Sequence, residues 1–271
     1  MLNNELRHCA RAALLCNTVA SKLAQVTILS SLLKSTEQAL DTAVVFPIFE
    51  SPGRPSLPEL VLPREVTRRG LSTQEGRAAL LHAIAHIEFN AINLACDAMQ
   101  RFNNMPKQYY LDWASVAIDE ARHFQLLQTR LSELGYQYGD FTAHNGLWEM
   151  AEKTEHSCLA RMALVPRLLE ARGLDVTPGM IEKLRQLKDD RSVAVLDVIL
   201  NEEIRHVAIG TQWFNYCCGQ ENKNPEIEFI KLLTGMAKGS IRGPYNLPAR
   251  EQAGFTEFEM QQISLLGQSS K

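Results

Sequence analysis

Apolar residues recur at three- and four-residue spacing through most of this chain, and no segment shows the strict alternation of a half-buried strand. The pattern therefore predicts an all-α protein. Residues 1–42 are rich in Ala and Leu with few breakers, which predicts helix. Residues 43–71 change character. Pro47, Pro52, Pro55, Pro58 and Pro63, with Gly53 and Gly70, exclude a sustained helix. The apolar residues among them (Val44, Val45, Phe46, Ile48, Phe49, Leu57, Leu60 and Val61) predict an extended connector lying against the helices. Ser72-Thr73-Gln74-Glu75 then offers N-cap chemistry, with Ser72 and Glu75 at the capping-box offset.

Four long helical patterns follow. The first covers 74–102. The second covers 106–134, with Pro106 in its first turn and Gly135 as its stop. The third covers 147–172, with Gly173 after it, and the fourth covers 189–218, closed by Gly219. Residues 136–146 form a loop. A further helix near 225–238 and a short amphipathic piece near 257–266 complete the pattern. Residues 1–72 are thus a helical and proline-rich segment that packs on a four-helix bundle, and 73–271 form that bundle with extra C-terminal helices.

Within this frame two pentapeptides repeat one chemistry. Asp119-Glu120-Ala121-Arg122-His123 and Glu202-Glu203-Ile204-Arg205-His206 both read acid-Glu-x-Arg-His. Glutamate and histidine three residues apart share one helix face. A single such match is most often a solvated surface, but here the surrounding faces are apolar. Glu88 is flanked at helical spacing by Leu81, Ile84, Ala91, Ile92, Ala95 and Met99. Glu120 is flanked by Trp113, Val116, Leu127, Leu131 and Leu134, and Glu203 by Leu196, Ile199, Val207, Gly210 and Phe214. An ionised carboxylate on a core face needs a compensating cation, and these faces carry no Lys or Arg.

Spacing extends the argument to a fourth carboxylate. Thirty-two residues separate Glu88 from Glu120, and thirty-three separate Glu170 from Glu203. In two antiparallel hairpins such separations bring all four glutamates to one level. Glu, then Glu-x-x-His, on each of two hairpins is the ligand pattern of a carboxylate-bridged two-metal site in a four-helix bundle. Four carboxylates balance two divalent cations and leave both imidazoles neutral. Such donors favour iron or manganese over structural zinc. Glu170 is the weakest member, with Arg167 and Arg172 nearby and Glu152 and Glu155 as rivals on the same predicted helix; the spacing selects Glu170. His82 and His86 group with Asn90, Asn93 and Asp97, away from Glu88, as a hydrogen-bonded polar face against the connector rather than a second metal site. His144 and His156 read as structural or surface residues, and Trp113 and Tyr110 as core.

Bulk properties narrow the setting. The 271 residues allow one large domain or two small ones, and 45% hydrophobic with 22% charged residues is ordinary globular composition. A net charge of −3 offers no field for general nucleic-acid or membrane binding, and Arg64, Arg68 and Arg69 read as solvated surface. Arg7, His8 and Arg11 interrupt the N-terminal apolar runs, unlike a signal peptide, and no run approaches the length of a bilayer span. Six cysteines without C-x-x-C spacing read as reduced thiols, the vicinal Cys217-Cys218 pair included, so a cytoplasmic protein is expected.

The run from Gly76 to Glu88, the segment Asp119 to Phe124, the run from Arg161 to Val176, the segment Tyr138 to Trp148, and Ala249-Arg250 followed by Gly254-Phe255 resemble the ferritin-like family catalogued as domain of unknown function 455. The resemblance covers the chain from about residue 43 onward. It implies a ferritin-like bundle with a di-metal site, whose ligands fall on Glu88, Glu120, His123, Glu170, Glu203 and His206. More remotely the chain is similar to tRNA-modifying di-iron hydroxylases, at the level of fold alone. The expected function is a non-haem di-iron oxidoreductase, an oxygen-activating oxidase or hydroxylase. Two iron ions would be its cofactor, with manganese as the alternative. Asp119, Arg122, Glu202 and Arg205 would orient the ligands. Its partners would be a small-molecule or RNA substrate and an electron-donor protein, with no membrane and with oligomerisation left open. The competing expectations are an iron-binding ferroxidase without an organic substrate and a metal-free helical interaction module.

Overall fold

The computed structural model describes residues 5–36 and 39–268, and among them the protein is all-α, with no strand. The chain divides into two compact units, Met1–Trp148 and Glu149–Lys271.

The first unit holds α1 (Leu6–Leu15), α2 (Val19–Leu33), α3 (Gln74–Arg101) and α4 (Lys107–Glu133). The helix expected over 1–42 is two helices, because Thr18 turns extended and its hydroxyl accepts from the Ser21 N–H at 3.1 Å, starting a new helix. Residues 1–4 and 37–38 of that expectation lie outside the described residues. α3 and α4 pair as a hairpin, and α1 and α2 pack on it. Two fully buried cations lock this arrangement by satisfying helix C-terminal carbonyls, which have no partner within their own helix. Arg7 donates from Nε to Met99 O at 2.9 Å and from Nη2 to Gln100 O at 3.1 Å, closing α3. Lys22 donates from Nζ to Ala13 O at 2.7 Å and Leu14 O at 3.2 Å, closing α1, and to Asn93 Oδ1 at 2.6 Å. Burial pulls the Lys22 pKa down to about 8.

The proline-rich connector is extended and is held by backbone bonds. Gly53 N–H donates to Leu14 O at 2.8 Å, and Val61 N–H to Ala143 O at 2.8 Å. A side chain at Gly53 would strike the carbonyls of Leu15 and Cys16, so glycine is required for this approach. Not all of its apolar residues turn inward, however: Val45, Ile48 and Leu57 are exposed. The N-cap of α3 is Thr73, whose hydroxyl accepts from Gly76 N–H at 3.0 Å, rather than Ser72, and Glu75 pairs with Arg69. By length and composition, α3 is long and apolar enough to cross a membrane, against the expectation. Yet 78% of its apolar window is buried, as in a core helix. α4 ends at the predicted Gly135, which takes φ +78°.

α5 (Gly146–Lys153) spans the boundary, and the second unit continues with α6 (Cys158–Leu164), a π-helical segment (Val165–Glu170), α7 (Ala171–Gln186), α8 (Asp190–Gln220), α9 (Pro225–Met236), α10 (Leu247–Gln252) and α11 (Glu257–Gln268). The single helix expected over 147–172 is thus interrupted twice. Ser157 turns extended and caps α6 through Ala160 N–H at 3.2 Å. Pro166 has no N–H to donate to the turn before it, so the backbone widens, and Ala171 N–H reaches back five residues to Pro166 O. Helix then continues through Gly173 and Pro178 to Gln186. Gly210 on α8 faces the Pro166 ring, where any Cβ would collide. α8 likewise runs past Gly219; Asn222, with φ +52°, supplies the left-handed stop, and Lys223 N–H bonds Cys218 O at 2.9 Å. The short α10, capped by Asn246, falls where a broken tail was expected.

Candidate metal centre

α3 and α4 bring three of the candidate ligands together in the first unit. Glu88, Glu120 and His123 are all buried, and one ligand atom from each lies within 4.8 Å of the others. His123 Nδ1 stands 3.1 Å from Glu88 Oε2 and 3.5 Å from Glu120 Oε2. Burial by itself lowers the His123 pKa, but the hydrogen bonds and charges of Glu120 and Glu88 outweigh it and push the ring up to about 11. The imidazolium therefore supplies the positive charge that two buried carboxylates require. Two carboxylates and one imidazole are hard and borderline donors suited to iron, manganese or zinc. A divalent cation would take over the charge balance and release the His123 proton.

The second unit repeats the motif. Glu203 and His206 lie one turn apart on α8, both buried, with His206 Nδ1 3.2 Å from Glu203 Oε1. Glu170 is the last residue of the π segment and is also buried. The two arginines near it in sequence are engaged elsewhere. Arg167 Nη2 donates to both Glu259 oxygens, at 2.9 and 2.7 Å, and its Nε donates to Thr211 Oγ1 at 3.2 Å. Arg172 Nη1 donates to Arg242 O at 2.8 Å and Pro244 O at 2.9 Å.

The remaining candidates separate clearly. Glu152 and Glu155 are exposed, as are His144 and His156. Arg122 is exposed and pairs with Asp119 at 3.2 Å, and Arg205 is exposed as well. His82 and His86 are buried. His82 Nε2 accepts from Gly139 N–H at 2.9 Å, His86 Nδ1 bonds Tyr138 Oη at 2.9 Å, and Asn90 Nδ2 meets His86 Nε2 at 3.0 Å. The connector's Pro52, Arg54, Pro55 and Pro58 stand beside this face across a narrow gap. Trp113 is buried and packs against Tyr109. Two residues went unmarked in the sequence. Tyr138 stacks on His82 and His86 and meets Phe89 and Phe124. Glu259, the partner of Arg167, sits in a tail segment whose turn residues gave no sign of a buried charge.

An all-α protein with a buried cluster of glutamate and histidine is the class these observations define. The chain belongs to the family described as "Protein of unknown function (DUF455)", which matches residues 15–261. It is 47% identical over 224 residues to an uncharacterized protein of Haemophilus influenzae, an alignment covering 80% of this chain and 78% of that relative. No solved structure matches it.

Proposed function

We propose that this protein is a ferritin-like, non-haem di-iron oxidoreductase in which Glu88, Glu120 and His123 join Glu170, Glu203 and His206 around two metal ions. The observation that carries the reading is the His123 ring held between two buried carboxylates, with the same Glu-x-x-His pair buried again on α8. Two iron ions, or iron and manganese, would supply oxygen activation. The glutamates would hold and bridge them, and each histidine would contribute one neutral nitrogen after losing its proton. The bundle walls would keep bulk water from the centre.

The test is elemental analysis of purified protein, followed by anaerobic reconstitution with ferrous iron and measurement of oxygen uptake. The expected result is close to two transition-metal ions per chain and rapid oxygen consumption. Glu170→Ala should lower metal occupancy, whereas Glu152→Ala and Glu155→Ala should leave it intact. Protein that stays metal-free after reconstitution would overturn the proposal. Iron bound without oxygen uptake would reduce it to a metal-binding role.

A further inference from the structure

The loop between α4 and α5 closes with His144-Asn145-Gly146, the one place in the chain where glycine follows asparagine. The Gly146 N–H donates to His144 Nδ1 at 3.2 Å, so this imidazole nitrogen aims a lone pair at the amide proton. A Cβ at residue 146 would stand only 3.1 Å from the same Nδ1, tighter than ordinary contact. Gly146 is also the first residue of α5, whose leading N–H groups have no partner within the helix and whose dipole favours negative charge at this end. Asn145, half-buried, stands where an asparagine normally caps a helix. Yet its side chain makes no hydrogen bond among the described residues and is free to turn onto its own backbone. Asn145 lines the narrow gap beside His86 together with Arg54. The Arg54 guanidinium has only long bonds, to Pro55 O at 3.4 Å and Pro58 O at 3.5 Å.

Three requirements of intramolecular amide attack thus meet at one residue. They are a backbone nitrogen with no side chain beside it, a base within hydrogen-bond reach of its proton, and an unrestrained side-chain carbonyl. We infer that Asn145 is a self-modifying site, which loses its amide through a cyclic imide and becomes aspartate or isoaspartate. His144 Nδ1 takes the Gly146 amide proton as that nitrogen bonds to the side-chain carbonyl carbon of Asn145. The imidazolium then gives the proton to the side-chain amino group, which leaves as ammonia when its C–N bond breaks. Water adds to either carbonyl of the imide and breaks one of the two ring C–N bonds. One water is consumed, one ammonia is released, and no electrons change hands. The product carboxylate has partners that the amide did not use: the unpaired N–H groups opening α5 and the Arg54 guanidinium on the same gap. A neutral side chain thereby becomes a permanent negative charge where the connector lies against α3.

The full-length protein is held at neutral pH in heavy-oxygen water and digested with trypsin over a time course. Peptide 131–153 should gain about three daltons, as an amino group is replaced by a heavy hydroxyl. It should separate into aspartate and isoaspartate forms, with fragmentation placing the change on Asn145 ahead of every other asparagine. His144→Ala should slow the conversion on the order of tenfold, below what a fully positioned enzymatic base supplies. Gly146→Ala should slow it as well, and His144→Gln replaces His144→Ala if that variant lacks native circular dichroism. No conversion at Asn145, earlier conversion at another asparagine, aspartate without isoaspartate, or an unchanged rate in a folded His144 variant would each overturn the proposal.

Discussion

His82 and His86 sit one helical turn apart on α3, and burial lowers the pKa of each to about 4. The unfolded chain, with histidine near 6.5, therefore binds more protons than the folded one between these values. The sign follows: the stability each neutral ring contributes is present above pH 6.5, and it is lost as the pH falls toward 4. At pH 5 the loss is about 2 kcal/mol for His82 by linkage. His82→Gln keeps an acceptor for the Gly139 N–H but carries no titrating ring. Urea unfolding of chelated protein at pH 7 and pH 5 should show a loss smaller by about that amount in the variant, and equal acid sensitivity in the two proteins would refute the assignment. At this scale the sequence was informative because helical geometry is a local property. The angle between residues 82 and 88 on one helix already separated the histidine face from the glutamate face. Tyr138, which seals the histidine face, could not be found the same way, since it arrives from a loop fifty-two residues beyond His86.

Helix boundaries show where local reasoning stops. The hairpin of α3 and α4 was legible to within a residue or two at each end, because Thr73, Pro106 and Gly135 act on the backbone within a few residues of themselves. The third long helix was not. Ser157 turns extended and starts α6 inside the periodic run, and the tertiary packing of α7 on α8 carries the helix past Gly173. The π segment depends on one further distant contact. Arg167, at its centre, is clamped by Glu259 on α11 and stacked against Phe229, Phe255 and Phe214 at 4.0, 4.7 and 4.8 Å. Both charged partners are almost wholly buried. Removing one member of such a pair strands the other and costs about 3–5 kcal/mol, while replacing both with apolar residues of similar size is often neutral. Glu259→Leu should therefore destabilise the protein by roughly that amount, and Arg167→Met combined with Glu259→Leu should recover most of it. The check is a double-mutant cycle in urea, and strictly additive losses would show that the pair is not the latch of this segment.

For the molecule as a whole, the proposed centre would set a controllable part of its stability, because metal would hold together glutamates that otherwise repel. In metal-free protein, protons such as the one held by His123 at a pKa of about 11 provide the compensation. Metal binding would replace such protons, so it should release protons at pH 7. A ligand that binds only the native state adds stability by mass action, about 4 kcal/mol at a thousandfold excess over its dissociation constant. For a chain of this length that corresponds to a thermal midpoint higher by on the order of 10 °C. Chelation followed by verified metal loss should lower the midpoint by that order, and re-addition of ferrous iron under nitrogen should restore it. Calorimetric titration of the stripped protein in two buffers of different ionisation enthalpy should give apparent heats that differ by the protons released. A midpoint unmoved by metal loss, or heats independent of the buffer, would mean that the buried glutamates and histidines balance their own charges and that no metal is needed to hold them.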